Sequence, residues 1–374
     1  MVRHGSGRLV TVRMAAEEAS KAILHAWDRG DAVLVLGDRA PDDEVRRLLD
    51  RLAPDSGVDP SVAAVVATSG TGGEPKGVEL TWDGLAASAA AVSDALDVSP
   101  GDRWLACLPL QYVAGLAVLG RAWAGGVPVA VLGGFDVATV AAADATLVSL
   151  VPTMVRRLRD AGVDLSRFRR ILLGGGPVHE TGGNIVATYG MTETWGGVVH
   201  DGHPLAGVEL ALGESDEIVV RAPMVMRGYR LDPGLTAAVL SADGWLRTGD
   251  AGGFEPDGRL RVVDRLRDLV ITGGVNVSPT EVEAVLARHP GVAEVCVAGA
   301  PDPEWGERVV AYVVPSERGS APDLDDLRAF AADRLSAPKL PREVVVVDAI
   351  PRTAGGKPLR RLLSGFGGRA GSVD

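Results

Sequence analysis

Thr68-Ser69-Gly70-Thr71-Gly72-Gly73-Glu74-Pro75-Lys76-Gly77 is the stretch from which the fold can be read. The run before it, Val62-Ala63-Ala64-Val65-Val66-Ala67, is wholly apolar and reads as a buried strand. Gly70, Gly72 and Gly73 let the backbone turn tightly and bring its N–H groups close to a ligand. The hydroxyls of Thr68, Ser69 and Thr71 and the ammonium of Lys76 add donors, and a polyphosphate is the natural guest of such a loop. The spacing is not that of the Gly-x-x-x-x-Gly-Lys-Ser/Thr loop, because Lys76 stands between Pro75 and Gly77. Taken alone, the stretch also fits a plain surface turn. Its partners decide.

Upstream, Ile23, Leu24 and Trp27 fall at helical spacing, Ala32–Leu36 is strand-like, and residues 41–60 hold a short amphipathic helix around Val45, Leu48, Leu49 and Leu52. Downstream, Thr81 is placed to cap an alanine-rich helix that runs to Leu96. Apolar runs at Trp104–Pro109 and Val127–Leu132 flank a helical pattern at Leu116–Trp123, and Ala145–Val151 and Ile171–Leu173 continue the rhythm. That alternation predicts an α/β architecture. After about residue 200, Val208–Leu212, Glu217–Val220 and Leu260–Val263 predict a small antiparallel barrel or sheet. From Arg265 the chain reads as a compact α+β unit, with helices at Thr280–His289 and Leu324–Leu335 and strands at Val292–Ala298, Val309–Val314 and Glu343–Val347. Two domains are expected, 1–264 and 265–374.

Composition narrows the function classes. With 46% hydrophobic and 23% charged residues the 374-residue chain is globular, and a formal net charge of −11 without a basic block argues against nucleic acid. Cys107 and Cys296 lie far apart without metal-ligand spacing, which suits a reducing compartment. No apolar run is long enough for a membrane span or for the core of a signal peptide, so a cytoplasmic location is expected.

Four further segments place polar chemistry on glycine-bounded turns: Gly174-Gly175-Gly176-Pro177, Tyr189-Gly190-Met191-Thr192-Glu193-Thr194, Trp245-Leu246-Arg247-Thr248-Gly249-Asp250 and Arg352-Thr353-Ala354-Gly355-Gly356-Lys357. With the opening loop and with Asp264–Glu283, they stand in an order that resembles the adenylate-forming superfamily of acyl-CoA synthetases, adenylation domains and luciferases. That resemblance covers about residues 60–360 and implies a large multi-layer N-terminal domain and a small mobile α+β C-terminal domain. It also implies ATP, Mg²⁺ and CoA as cofactors and a small-molecule carboxylic acid as substrate.

The physical task is to bring an anionic phosphate to an anionic carboxylate, so cationic and dipolar groups must offset the repulsion. On the resemblance, Thr68, Ser69, Gly70, Thr71, Gly73 and Lys76 hold phosphates, Thr192 bonds the phosphate, and Glu193 holds Mg²⁺. Tyr189 and Gly190 offer adenine a stacking face, Gly174, Gly175 and Gly176 line its other side, Asp250 takes the ribose hydroxyls, and Arg265 serves ribose and phosphate. Lys357, a point charge on a long stem, reaches the α-phosphate and carboxylate. Arg267 is the interdomain hinge, and Gly273 and Gly274 flank the CoA channel. Each residue also has a bland reading, as core, turn or cap, when taken singly.

The chain's short N-terminal part is similar to that of the compact o-succinylbenzoate–CoA ligases of menaquinone biosynthesis. So are Ser149–Thr153, Glu193–Gly197 and His200–Val208. Gln111 and Tyr112 stand where those ligases carry a His pair; Gly115, Trp195 and Gly196 complete the expected acid pocket. Small residues after Tyr112 are expected to leave space there, and His200, His203 and Arg227 are the cations that would meet a second carboxylate. The expected activity is ATP-dependent acid–CoA ligation through an acyl-adenylate, with o-succinylbenzoate the favoured acid. Alternatives are another aryl or alkyl acid, a carrier protein as acceptor, or a relative that binds without turnover. A homodimer is one assembly the resemblance admits.

Overall fold

The computed structural model describes residues 5–69 (the side chain of Ser69 excepted), 75–176, 182–316, 321–352 and 358–363. The chain divides into two compact units. One comprises residues 1–211, 219–248 and 254–260; the other comprises 212–218, 249–253 and 261–374.

In the first unit Val62–Ser69 is a strand, buried over Val62–Val66 as its valines predict, and Pro75–Thr81 is the next strand. The two pair antiparallel, with Thr68 opposite Lys76 and Ser69 opposite Pro75. The described ends of the opening stretch are therefore the two arms of an antiparallel pair. Lys76 belongs to the second arm rather than to a loop. Three more strands complete this five-stranded sheet: Leu9–Val12 and Ala32–Val35, parallel to each other and to Val62–Ser69, and Gly228–Tyr229, antiparallel to Pro75–Thr81.

The second sheet of that unit has seven strands, in the order His203–Pro204, Gly196–His200, Ile185–Met191, Arg170–Leu173, Leu147–Leu150, Trp104–Ala106 and Val129–Val131. Its last five strands are parallel and its first three are joined antiparallel. Leu105, Val148, Leu150, Phe168 and Ile171 form the core beneath it. Thr81 caps the helix Trp82–Ala95 by accepting from the N–H of Gly84, as its position predicts. The helix expected over Leu116–Trp123 starts earlier, at Val113, and ends at Gly125.

Glu209–Leu212, Glu217–Arg221, Leu246–Phe254 and Leu260–Arg265 form a four-stranded sheet, where a barrel or sheet is expected.

In the second unit the strands Val292–Asp302 and Gly306–Pro315 pair antiparallel along their length, longer than the sequence pattern suggests. Gly299 and Pro301 are the residues at which the sequence pattern ends the first of them. That strand lies at the sheet edge, so the missing N–H of Pro301 need not cost a ladder bond. Asp302 closes the turn by accepting from the N–H groups of Glu304 and Trp305. The helix Pro279–Leu286 opens on Ser278 as cap with Pro279 in its first turn, and the helix from Leu324 stops at Ala331, short of Leu335. Val270, Val282, Val309, Val313 and Leu327 form the core of this unit.

Candidate active site

Within the first unit, the strand Pro75–Thr81, the turn Thr192–Thr194 and the strand Gly228–Tyr229 bring Lys76, Glu193 and Tyr229 together. Lys76 Nζ lies 3.2 Å from Glu193 Oε1 and 2.6 Å from the Tyr229 hydroxyl, which donates to the same carboxylate oxygen at 2.7 Å. Sequence reasoning selected Lys76 and Glu193 but missed Tyr229, which lies 153 positions from Lys76. Gly70, Thr71, Gly73 and Lys357 lie outside the described residues. Thr68 Oγ1 is buried and makes no hydrogen bond among the described residues.

Tyr189 is half-buried on the strand Ile185–Met191, opposite Val199, and is followed by exposed Gly190 and by Thr192 in the turn. Gly174, Gly175 and Gly176 follow the neighbouring strand Arg170–Leu173, where the N–H of Gly174 donates to Leu150 O. These segments leave the same sheet at adjacent parallel strands.

The expected acid pocket is partly corrected. Tyr112 is 42% exposed and, with half-buried Gln111, immediately precedes the helix Val113–Gly125. Gly115 lies inside that helix rather than in an open turn. A Cβ there would come within 2.4 Å of Pro109 O, so its smallness admits the preceding backbone and leaves no space for a ligand. Trp195 is fully buried, with its indole N–H on Thr81 O, and belongs to the packing of the helix Trp82–Ala95. Gly196 begins the return strand, half-buried.

Sequence reasoning missed Arg121. It sits in the middle of the apolar helix Val113–Gly125, 5% exposed, with its guanidinium 5.1 Å from the Trp104 ring centroid. Its Nη2 reaches Ser149 Oγ at 3.5 Å, while its Nε makes no hydrogen bond among the described residues. Thr188 Oγ1 and both ring nitrogens of His200 are likewise buried without hydrogen bonds among those residues. Thr188 and His200 face each other across paired strands. Burial, and then the nearby Arg121 charge, lower the His200 pKa to about 4, so the ring is neutral at pH 7. Burial lowers Arg121 to about 10, which still leaves it a cation. Of the three cations expected to meet a second carboxylate, none fits. His200 is neutral, His203 is exposed on an edge strand, and Arg227 is paired with Asp59 and Glu79 at 3.1 Å. A single positive charge in an apolar helix with no polar face was the available signal.

In the second unit Asp250, 7% exposed at its side chain, accepts from Arg265 Nε at 2.7 Å, so the two expected ribose residues are neighbours. Arg267 lies in the turn Leu266–Asp268, largely exposed, 3.8 Å from Asp268. Gly273 and Gly274 join the strands Val270–Thr272 and Val275–Val277 with φ of 57° and 77°. A two-residue hairpin turn of that hand requires left-handed backbone, and a Cβ on Gly273 would come within 2.8 Å of the Trp305 ring.

A lysine and a carboxylate in contact beside a glycine-rich stretch, and a buried arginine on the same α/β scaffold, are the groups that handling of an anionic nucleotide calls for. The model of AMP-binding enzymes matches residues 9–230, and that of the AMP-binding enzyme C-terminal domain matches 281–357. The chain belongs to the AMP-binding enzymes.

It is 39% identical over 346 residues to a probable 2-succinylbenzoate–CoA ligase of Mycobacterium tuberculosis, covering 86% of this chain and 89% of that protein. To the 2-succinylbenzoate–CoA ligase of Geobacillus kaustophilus it is 38% identical over 339 residues, covering 81% and 69%. Among solved structures it matches the o-succinylbenzoate CoA synthetase (MenE) of Bacillus subtilis in complex with the acyl-adenylate intermediate OSB-AMP. The TM-score is 0.85 at 29% identity, over 96% of this chain and 88% of that one. That synthetase has also been solved with ATP and magnesium ion, and matches with a TM-score of 0.84 at 28% identity, over 96% and 90%.

Proposed function

We propose that this chain is an ATP- and Mg²⁺-dependent o-succinylbenzoate–CoA ligase. It joins the acid to AMP with release of pyrophosphate, then passes the acyl group to the CoA thiol with release of AMP. The observation that carries the choice of acid is the buried Arg121, with Ser149 and His200 near it and Thr188 opposite His200. o-Succinylbenzoate has two carboxylates, only one of which reacts. The other needs a desolvated cation and neutral donors, since burying a bare carboxylate is costly. Arg121 supplies the first and the hydroxyls of Ser149 and Thr188 the second, with the uncharged His200 as a further donor.

Lys76 and the glycine-rich stretch 68–73 take the β- and γ-phosphates, and Thr192 bonds the phosphate. Tyr189 and the Gly174–Gly176 turn hold adenine, and Asp250 and Arg265 hold ribose. Glu193 fits Mg²⁺, which binds through one or two carboxylates plus substrate phosphates and, when bound, neutralises phosphate charge. Lys357 supplies the cation of the adenylation step. Residues 265–374 act as a mobile domain hinged at Arg267, with Gly273 and Gly274 on the CoA side. Both cysteines are buried and unbridged, which fits the cytoplasm, and no described helix is long and apolar enough to cross a membrane.

Incubation with ATP, Mg²⁺, CoA and a panel of acids, with thioester masses and pyrophosphate as readouts, tests the reading. o-Succinylbenzoyl-CoA should dominate. A mono-acid preferred over it would favour the second reading, a ligase for another aryl or alkyl acid, which the neutral Gln111 and Tyr112 support. Light scattering on the same preparation tests the homodimer.

A further inference from the structure

The contact of Lys76, Glu193 and Tyr229 is a closed triangle on one carboxylate oxygen. The ammonium of Lys76 is 3.2 Å from Glu193 Oε1 and 2.6 Å from the Tyr229 hydroxyl, and the hydroxyl is 2.7 Å from the same oxygen. The ammonium also lies 4.0 Å from the Tyr229 ring centroid. All three are sheltered, with side chains 24% and 13% exposed for Lys76 and Glu193, and Tyr229 7% exposed overall. The inference rests on the reading that Glu193 holds Mg²⁺ and Lys76 holds phosphate. Both cannot happen while the triangle is closed, because a dication at that oxygen would face an ammonium already sitting on it. Among the described residues no cluster of three or more His, Cys, Asp or Glu side chains is able to hold a metal, so Glu193 is not part of a ready-made protein cage.

We propose that Lys76 is a placeholder cation on Glu193, and that Tyr229 is a positioning residue that keeps the carboxylate in place while nucleotide phosphates draw the ammonium away. The metal site then exists only with the nucleotide. Metal enters with the triphosphate and not before it. Glu193, buried to this degree, is meanwhile never left as an uncompensated charge.

Mn²⁺ alone, titrated into nucleotide-free protein and followed by electron paramagnetic resonance, tests this. Wild type should bind Mn²⁺ no more tightly than the background of surface carboxylates. Lys76→Met should bind one equivalent at least 10-fold more tightly, Lys76→Met/Glu193→Gln should lose that gain, and adding Tyr229→Phe to Lys76→Met should lower it several-fold. Tight Mn²⁺ binding by wild type that Glu193→Gln abolishes overturns the proposal, as does a folded Lys76→Met protein with no gain. Lys76→Gln replaces Lys76→Met if circular dichroism shows the latter unfolded, and the wild-type arm is decisive without either. Binding of a fluorescent ATP analogue to wild type is scored separately, so failure of the ligase reading is distinguishable from failure of the placeholder.

Discussion

On the proposed reading Arg121 carries a conflict that the acid's second carboxylate resolves. Its guanidinium is buried in an apolar helix and among the described residues makes one weak side-chain hydrogen bond, to Ser149, so the same burial that would prepare a site for an anion weakens the ligand-free fold. Arg121→Gln should therefore stabilise the ligand-free protein, by about 1–3 kcal/mol in urea denaturation. The same change should lower kcat/KM for a diacid roughly 30- to 1,000-fold, about 2–4 kcal/mol for a lost charged hydrogen bond, with the KM for ATP unmoved. An acid lacking the second carboxylate should not notice the substitution, and equal losses for both acids would place Arg121 outside the pocket. His200 gives a pH signature at the same scale. Its folded pKa, lowered by burial to about 4, lies below the unfolded value near 6.5. Between those values the unfolded chain binds the extra proton, so this contribution is intact above pH 6.5 and lost as pH falls toward 4, to a total of about 3 kcal/mol. In His200→Leu the urea midpoint should fall less steeply across that window, and an unchanged slope would show that the ring is not held neutral.

Among the elements, the helix Pro279–Leu286 and the short helix Arg360–Leu363 are joined by Glu283 and Arg360, whose Nη2 donates to both carboxylate oxygens at 2.7 and 2.9 Å, with both side chains under a fifth exposed. Glu283 also accepts from the N–H of Val297, and Arg360 Nε donates to Val297 O, so the pair fastens both helices to one strand. Arg360→Met leaves a buried carboxylate behind and should destabilise the second unit by about 3–5 kcal/mol. Glu283→Gln with Arg360→Met should cost clearly less than the sum of the two single changes, measured by denaturation. This scale also shows what the sequence carries. Thr81 as cap, Pro279 in a first turn and Val62–Ser69 as a strand depend on local backbone chemistry and can be read from a few neighbours. The edge position of Val292–Asp302 cannot, because what excuses Pro301 is that, among the described residues, no further strand lies beside it. Tyr229 and Arg121 were hidden for related reasons: one reaches its partner across 153 positions, and the other is misplaced by any rule that puts charges at the surface.

At the scale of the whole molecule, the part that matches the AMP-binding enzyme C-terminal domain ends at residue 357, on the lysine that the proposed function uses. A ligase of this kind runs two reactions on one acyl group. The first joins two anions and needs an added cation near the reacting oxygens. The second expels AMP and brings in a thiol, for which that cation is no longer required. If Lys357 serves only the first, its removal acts on one transition state, and the effect should divide cleanly. Lys357→Ala should lower the rate of pyrophosphate release with ATP and acid by 100-fold or more, the order expected when an electrostatic contact made at the transition state is lost. Supplied with pre-formed acyl-adenylate and CoA, the same variant should form thioester at close to the wild-type rate. The substitution lies in a Gly-Gly-Lys segment with no apolar side chain to lose, so its denaturation curve should match wild type. Equal losses in both half-reactions would mean that Lys357 binds the nucleotide throughout. An unaffected first half-reaction would hand the cation's role to another residue, with Lys76 next in line.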